Sequence, residues 1–222
     1  MNALRRYKPI INLFLVLLLA VWQIGQPLQA ATYHWDADGT DSGNVIDGTN
    51  LGGTGTWDLG TANWWPVPAG VLTTWGNTSS DTAIFSGLYS ALPTLNTVTL
   101  SGTLTANQVR FDRSGYTLTG GTSLTLAGVG AGLHAEKGEF ATINSIIAGM
   151  DGLTKTGGGS IRLTGVNSYT GVTAISNGTL VINNSAALGA DTSAIIVTGS
   201  ATRGLGGGAL VLEGGYASGV NL

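Results

Sequence analysis

Glycine sets the first limit on what this chain can fold into. It supplies 36 of 222 residues, well above its usual share of about 7%, and it is spaced rather than clustered. Segments such as NTVTLSGTLTANQVRF, GYTLTGGTSLTLAG and GTLVIN set glycines between runs of about four residues in which apolar side chains alternate with Thr or Ser. Period-two alternation marks a strand with one buried face, and glycine at its ends supplies the turn. Disordered glycine-rich chains lack the interleaved Val, Ile and Leu seen here. No window carries a helical period, and only Ala186-Ala187-Leu188-Gly189 reads as a short turn of helix. The fold class is therefore all-β, built from short strands.

Parity assigns the core. Val98, Leu100, Leu104, Val109 and Phe111 fall on one side of their runs, as do Leu118, Leu124 and Leu126, with Thr and Ser opposite. Strands this short are marginal alone, but stacked coils bury one continuous interior. Two or three strands per coil give rungs of about 20–25 residues, hence about five or six rungs from residue 92 onward. The pattern favours a parallel β-helix, in which Gly-Thr-Leu units at 102–104 and 178–180 stack and Asn167 and Asn177 form ladders at the turns. An antiparallel β-sandwich is the alternative.

The first thirty residues stand apart. Arg5, Arg6 and Lys8 precede an apolar run from Ile10 to Val21, and a polar stretch leads to Ala30 and Ala31. This is the layout of a secretory signal peptide, the apolar run being shorter than the about 20 residues of a spanning helix. Its removal leaves six basic against twelve acidic groups, a net charge of −6, which gives nucleic acid or anionic lipid little to bind. There is no cysteine, so an exported form relies on core burial and backbone ladders rather than disulfides. Residues 31–91, rich in Trp, Asp and Gly, read as an N-terminal capping region, and residues 92–222 as the β-helical repeat region.

Candidate chemistry is sparse. Asp112, Glu136, Glu139, Asp151, Asp191 and Glu213 are spread singly, and Glu136 to Glu139 reads as a plain surface loop. His34 and His134 lie a hundred positions apart. Paired acid–base work is thus unsupported, and a β-helical polysaccharide lyase or hydrolase is the least favoured function; no cofactor is implied. Asp36, Asp38 and Asp41 have the spacing of a weak Ca²⁺ site, or of a simple Asx turn. Among the tryptophans of residues 31–91, Trp64 and Trp65 are candidates for a sugar-stacking platform, against a role in plugging the open end of the solenoid.

The stretch Leu153 to Ile182, LTKTGGGSIRLTGVNSYTGVTAISNGTLVI, resembles a known family closely: the autotransporter-associated β-strand repeat, or passenger-associated transport repeat. The positions that carry the likeness are Lys155, Gly157, Gly159, Ile161, Leu163, Gly165, Asn167, Tyr169, Thr170, Gly171, Thr173, Gly178, Thr179 and Leu180, with Ser168 and Ile161 mild departures from Thr and Leu. The resemblance implies a right-handed parallel β-helix in a non-catalytic, adhesin-like passenger of a Gram-negative-type bacterium. It implies a place at the cell surface or outside the cell, and partners in the secretion machinery, including an outer-membrane β-barrel translocator. The repeat would assist secretion or folding there. A glycan-binding surface module is the competing function. The run up to Leu222 shows no barrel strands or sorting tail, which suits either a fragment of a longer passenger or a chain with the family's fold and not its export route.

Overall fold

A computed structural model describes residues 30–68, 70–87, 95–190, 194–198 and 207–213. The segment expected to be a signal peptide, residues 1–30, lies outside the described residues apart from Ala30. From Ala31 onward the chain forms one compact unit.

Eighteen strands occur among the described residues: β1 (Thr32–Trp35), β2 (Gly55–Trp57), β3 (Trp64–Val67), β4 (Thr82–Phe85), β5 (Asn96–Leu100), β6 (Thr103–Ala106), β7 (Gln108–Phe111), β8 (Tyr116–Gly120), β9 (Ser123–Leu126), β10 (Gly132–Ala135), β11 (Phe140–Ile143), β12 (Ile147–Ala148), β13 (Leu153–Thr156), β14 (Ser160–Leu163), β15 (Thr173–Ile175), β16 (Gly178–Ile182), β17 (Ile195–Val197) and β18 (Gly208–Leu212). They form three sheets. The first runs β17-β15-β13-β10-β7-β4-β1-β3, the second β18-β16-β14-β11-β8-β5-β2, and the third β12-β9-β6. Successive members pair in parallel, except β1 with β3, which is antiparallel.

This is a β-solenoid of about five turns. Rung 1 is β4 to β6, rung 2 β7 to β9, rung 3 β10 to β12, rung 4 β13 and β14, and rung 5 β15 and β16 with the 3₁₀ turn Ser185–Leu188. The expected turn of helix near Ala186 is that 3₁₀ turn. Parallel, axially stacked strands correct the sandwich alternative. The parity reading holds: Val98, Leu100, Leu104, Val109, Phe111, Leu118, Leu124 and Leu126 are all buried.

Register converts parity into columns. In the first sheet Ala83, Val109, Leu133, Lys155 and Ile175 lie one above another, and in the second Val98, Leu118, Ile143, Leu163 and Ile182. Each fully buried aliphatic side chain in such a column is worth roughly 1.5–3 kcal/mol. Two expectations need correction. Gly102-Thr103-Leu104 starts a strand of the third sheet and Gly178-Thr179-Leu180 one of the second, so the units share a turn chemistry without stacking. Asn167 and Asn177 do not ladder either, because Asn177 sits just before β16 and Asn167 between β14 and β15.

The N-terminal end is closed differently. β3 folds back along the outer edge of β1, pairing Pro66 with Tyr33. The outer edge of β3 is bridged once more, at Trp64 by Thr73, and Pro66, with no N–H to offer, stops the pairing from running further. The edge of β6 is met by the Trp75 indole, which donates to Thr105 O at 2.9 Å, and by Asn77 Oδ1, which accepts from Thr105 N at 2.6 Å. Inside, Trp35, Trp57, Trp64 and Trp75 pack edge-on or tilted with centroids 4.7–5.2 Å apart, and Phe85 stacks on Phe111 at 5.3 Å. Aromatic volume fills the end of the coil before the aliphatic columns begin.

Candidate functional site: the repeat rungs and an outer charge ladder

The stretch 153–182 makes up rung 4 and both strands of rung 5, and its fixed positions act on the contact between rungs. Ile161, Leu163 and Leu180 are core. The backbone N–H of Thr179 donates to Gly159 O at 3.0 Å, and that of Thr170 to Gly149 O at 2.9 Å. Gly165 lies where a Cβ would come within 2.7 Å of Ser145 O, and Gly171 has φ +92°. Two glycines show the constraint most clearly. Gly157 has φ +73° and Gly178 φ +69°, a region costly for other residues, and a Cβ on either would run into backbone carbonyls of the preceding rung, Ala135 O for Gly157 and Gly159 O for Gly178.

Four polar members of the repeat, Lys155, Asn167, Tyr169 and Thr173, are buried and internally satisfied. Asn167 accepts from Ile147 N at 2.8 Å and donates to Ala187 O at 2.7 Å, tying rung 4 to the rungs on both sides. Tyr169 bonds through its hydroxyl to Thr173 Oγ1 at 2.8 Å, both residues being buried, and burial pushes its phenol up to about 12. Lys155 is 0% exposed. Its ammonium donates to Thr156 O at 2.6 Å, Gly157 O at 2.9 Å and Asn177 O at 3.2 Å, and burial pulls its pKa down to about 8.

The other candidates from the sequence are not assembled into sites. Trp64 and Trp65 are 0% and 4% exposed, so neither offers a ring face to a sugar; Trp64 belongs to the aromatic end and Trp65 lies edge-on to His34. The platform reading is corrected by this burial. Asp36, Asp38 and Asp41 turn to separate partners. Asp36 accepts from Asn44 Nδ2 at 2.6 Å, Asp38 from Thr40 N at 2.8 Å in an Asx turn, and Asp41 from Leu72 N at 2.5 Å. No group of three or more His, Cys, Asp or Glu able to hold a metal occurs among the described residues. Asp36 is buried, which raises its carboxyl to about 6.

The sequence reading missed a cluster on the outer side of the first sheet. His34, Ile84, Arg110, His134 and Thr156 are in register across five strands. Arg110 donates to Asp112 at 2.6 Å and also pairs with Glu136. The Glu136 carboxylate lies 3.4 Å from His134 Nε2, and His134 Nδ1 bonds Thr156 Oγ1 at 3.0 Å. His34 bonds Ser86 Oγ at 3.0 Å, and burial lowers its pKa. Charges that look isolated along the chain thus form one ladder over rungs 2 and 3, with Thr156 of rung 4 hydrogen-bonded to its end. Its carboxylates flank a guanidinium and so hold the sheet's face together. Half-exposed pairs of this kind contribute about 1 kcal/mol or less each.

Comparison with known proteins gives a family match and a curated relative. A family model described as Passenger-associated-transport-repeat matches residues 153–182. The chain is also similar to a protein named Adhesin BmaC autotransporter of Brucella suis biovar 1 (strain 1330), 38% identical over 196 residues. That match covers 85% of this chain and 5% of the relative, so the chain spans about a twentieth of the relative's length. No solved structure matches.

Proposed function

We propose, for what is an autotransporter-associated repeat protein of the passenger kind, that residues 31–222 are a non-catalytic, adhesin-like scaffold whose repeat serves folding outside the cell. In this reading residues 1–30 direct export. The partners are the secretion machinery and an outer-membrane β-barrel translocator, and the scaffold stands at the surface of a Gram-negative-type bacterium. One observation carries it: the repeat's buried polar side chains, Lys155, Asn167 and Tyr169, are turned to backbone or neighbouring hydroxyls rather than toward a ligand. A rung that seals itself onto its neighbour as it emerges biases the chain against sliding back, since solenoid stability accumulates one neighbour contact at a time.

Asn167→Ala tests the reading. It strands Ile147 N and Ala187 O, a loss of about 2 kcal/mol. In cells exporting the full protein we expect unchanged synthesis with less protease-resistant passenger at the surface. Wild-type surface levels and protease resistance in this variant would overturn the assignment.

A further inference from the structure

We propose that Lys155 makes the joint between rungs 4 and 5 weaker than the rung contacts before it, and that the charge on this one side chain sets how firmly rung 5 docks. The use of such a joint during export rests on the function proposed above; the joint itself does not.

The argument begins with the column Ala83, Val109, Leu133, Lys155, Ile175. The register continues to Tyr33 beside Ala83 and to Val197 beside Ile175, and from Ala83 to Val197 every member but Lys155 is aliphatic. Parity puts Lys155 on the same side of β13 as Leu153, and both are buried. No ion pair involving Lys155 occurs among the described residues; its three acceptors are neutral carbonyls. Two of these, Thr156 O and Gly157 O, come from its own rung. Asn177 O alone comes from rung 5, at the longest of the three distances.

A chain folded only as far as rung 4 leaves the ammonium open to water on the side that Ile175 later covers. Docking rung 5 removes that water and returns a single carbonyl. Each earlier step along this column, Val109 onto Ala83 and Leu133 onto Val109, buries hydrocarbon alone and carries no such charge. Moving an ion out of water without a counter-ion is among the most costly exchanges in folding, so one rung contact is weaker than those before it. The lowered amine pKa has the same origin.

The other titratable groups on the packed elements are engaged elsewhere. His134 on β10 bonds Thr156 Oγ1, Arg162 on β14 pairs with Glu213, and Tyr169 ahead of β15 bonds Thr173. Glu136, on the turn below Gly157 to Gly159, pairs with Arg110, Lys137 beside it is exposed, and β15 and β16 carry no titratable side chain. The sign follows from linkage. Between about 8 and the ordinary 10.5 an opened joint holds the proton and a closed joint does not, so closing strengthens as pH rises through that window.

The test is hydrogen exchange of the full chain at pH 7.5 and 9.5, corrected for intrinsic rates and resolved by peptide. In the wild type, amides of β15 and β16 should be less protected than those of β10 and β11 at pH 7.5. Their protection should rise about ten-fold by pH 9.5. Lys155→Met, similar in volume and uncharged, should close the gap at pH 7.5 and remove the pH dependence. Equal protection of the two rungs in the wild type overturns the proposal, as does a gap unchanged by pH or one that widens in Lys155→Met. The wild-type comparison needs no variant, so a Lys155→Met chain that fails to fold leaves it decisive. It also needs no export, so failure here is distinct from failure of the Asn167→Ala experiment.

Discussion

Two regions of the described solenoid, the N-terminal end and the repeat, hold together by opposite means. Near the N-terminus, four indoles and Phe85 fill the coil by bulk, and two of those indoles, on Trp57 and Trp64, bury an N–H with no partner. In the repeat the buried side chains are smaller, and buried polar groups have partners of their own, Asn167 on the backbone of both neighbouring rungs, Lys155 on three carbonyls and Tyr169 on the Thr173 hydroxyl. Bulk closes an end whose sequence needs no repetition. Matched hydrogen bonds fix a register, because a slip of one residue would turn Lys155 and Asn167 outward. A plug and a ratchet tooth differ in just this way.

Breaking the plug should have the largest effect. Trp64→Ala is expected to cost about 4 kcal/mol, read as a lower urea midpoint followed by tryptophan emission. Glycan-array binding should not respond except through unfolding, and a sugar signal that disappears while the midpoint stays unchanged would restore the stacking role that burial argues against.

Acidity separates the regions next. Asp36 is buried with its carboxyl raised to about 6. Its folded-state pKa lies above the ordinary value near 3.8, so the folded state binds the proton more tightly. Stability in the N-terminal region is therefore greatest at low pH and falls as pH climbs to about 6, by up to roughly 3 kcal/mol. The repeat joint responds at the other end of the scale, gaining above pH 8. Urea midpoints at pH 4.5 and 7, with Asp36→Asn as the flat control, would show the slope; a midpoint that rises with pH over this range contradicts it.

The smallest contrast sits inside the plug. Trp35 donates to Gly53 O at 2.9 Å, while the Trp57 indole N–H has no partner. Replacing each with Phe removes similar volume, and Trp35→Phe should cost about 1 kcal/mol more. Equal costs would mean that the Trp57 N–H is satisfied after all.

Much of the architecture is legible in the chain because parity is local. Val98 and Leu100, or Leu118 alone in its run, declare an inward face without knowledge of what lies above them. Register is not local, and what depends on it was lost. Arg110, His134 and Thr156 lie 24 and 22 positions apart, and rungs of unequal length hide the column they share. Glu136 therefore read as part of a solvated loop. The burial of Lys155 is illegible for another reason: parity points it inward, a place its residue type seldom takes. Trp64 and Trp65 break the alternation itself, because β3 is covered on both faces, by the indoles on one and by His34 on the other.

Because strands lie across the solenoid and pair along it, the backbone hydrogen bonds of the sheets point down its length. Tension between its two ends would load every rung contact in series, and a series of links yields at its weakest member. Mechanical strength would then be set by the least favourable junction rather than by the total area buried. An aliphatic column interrupted by one lysine has its breaking point written into a single residue.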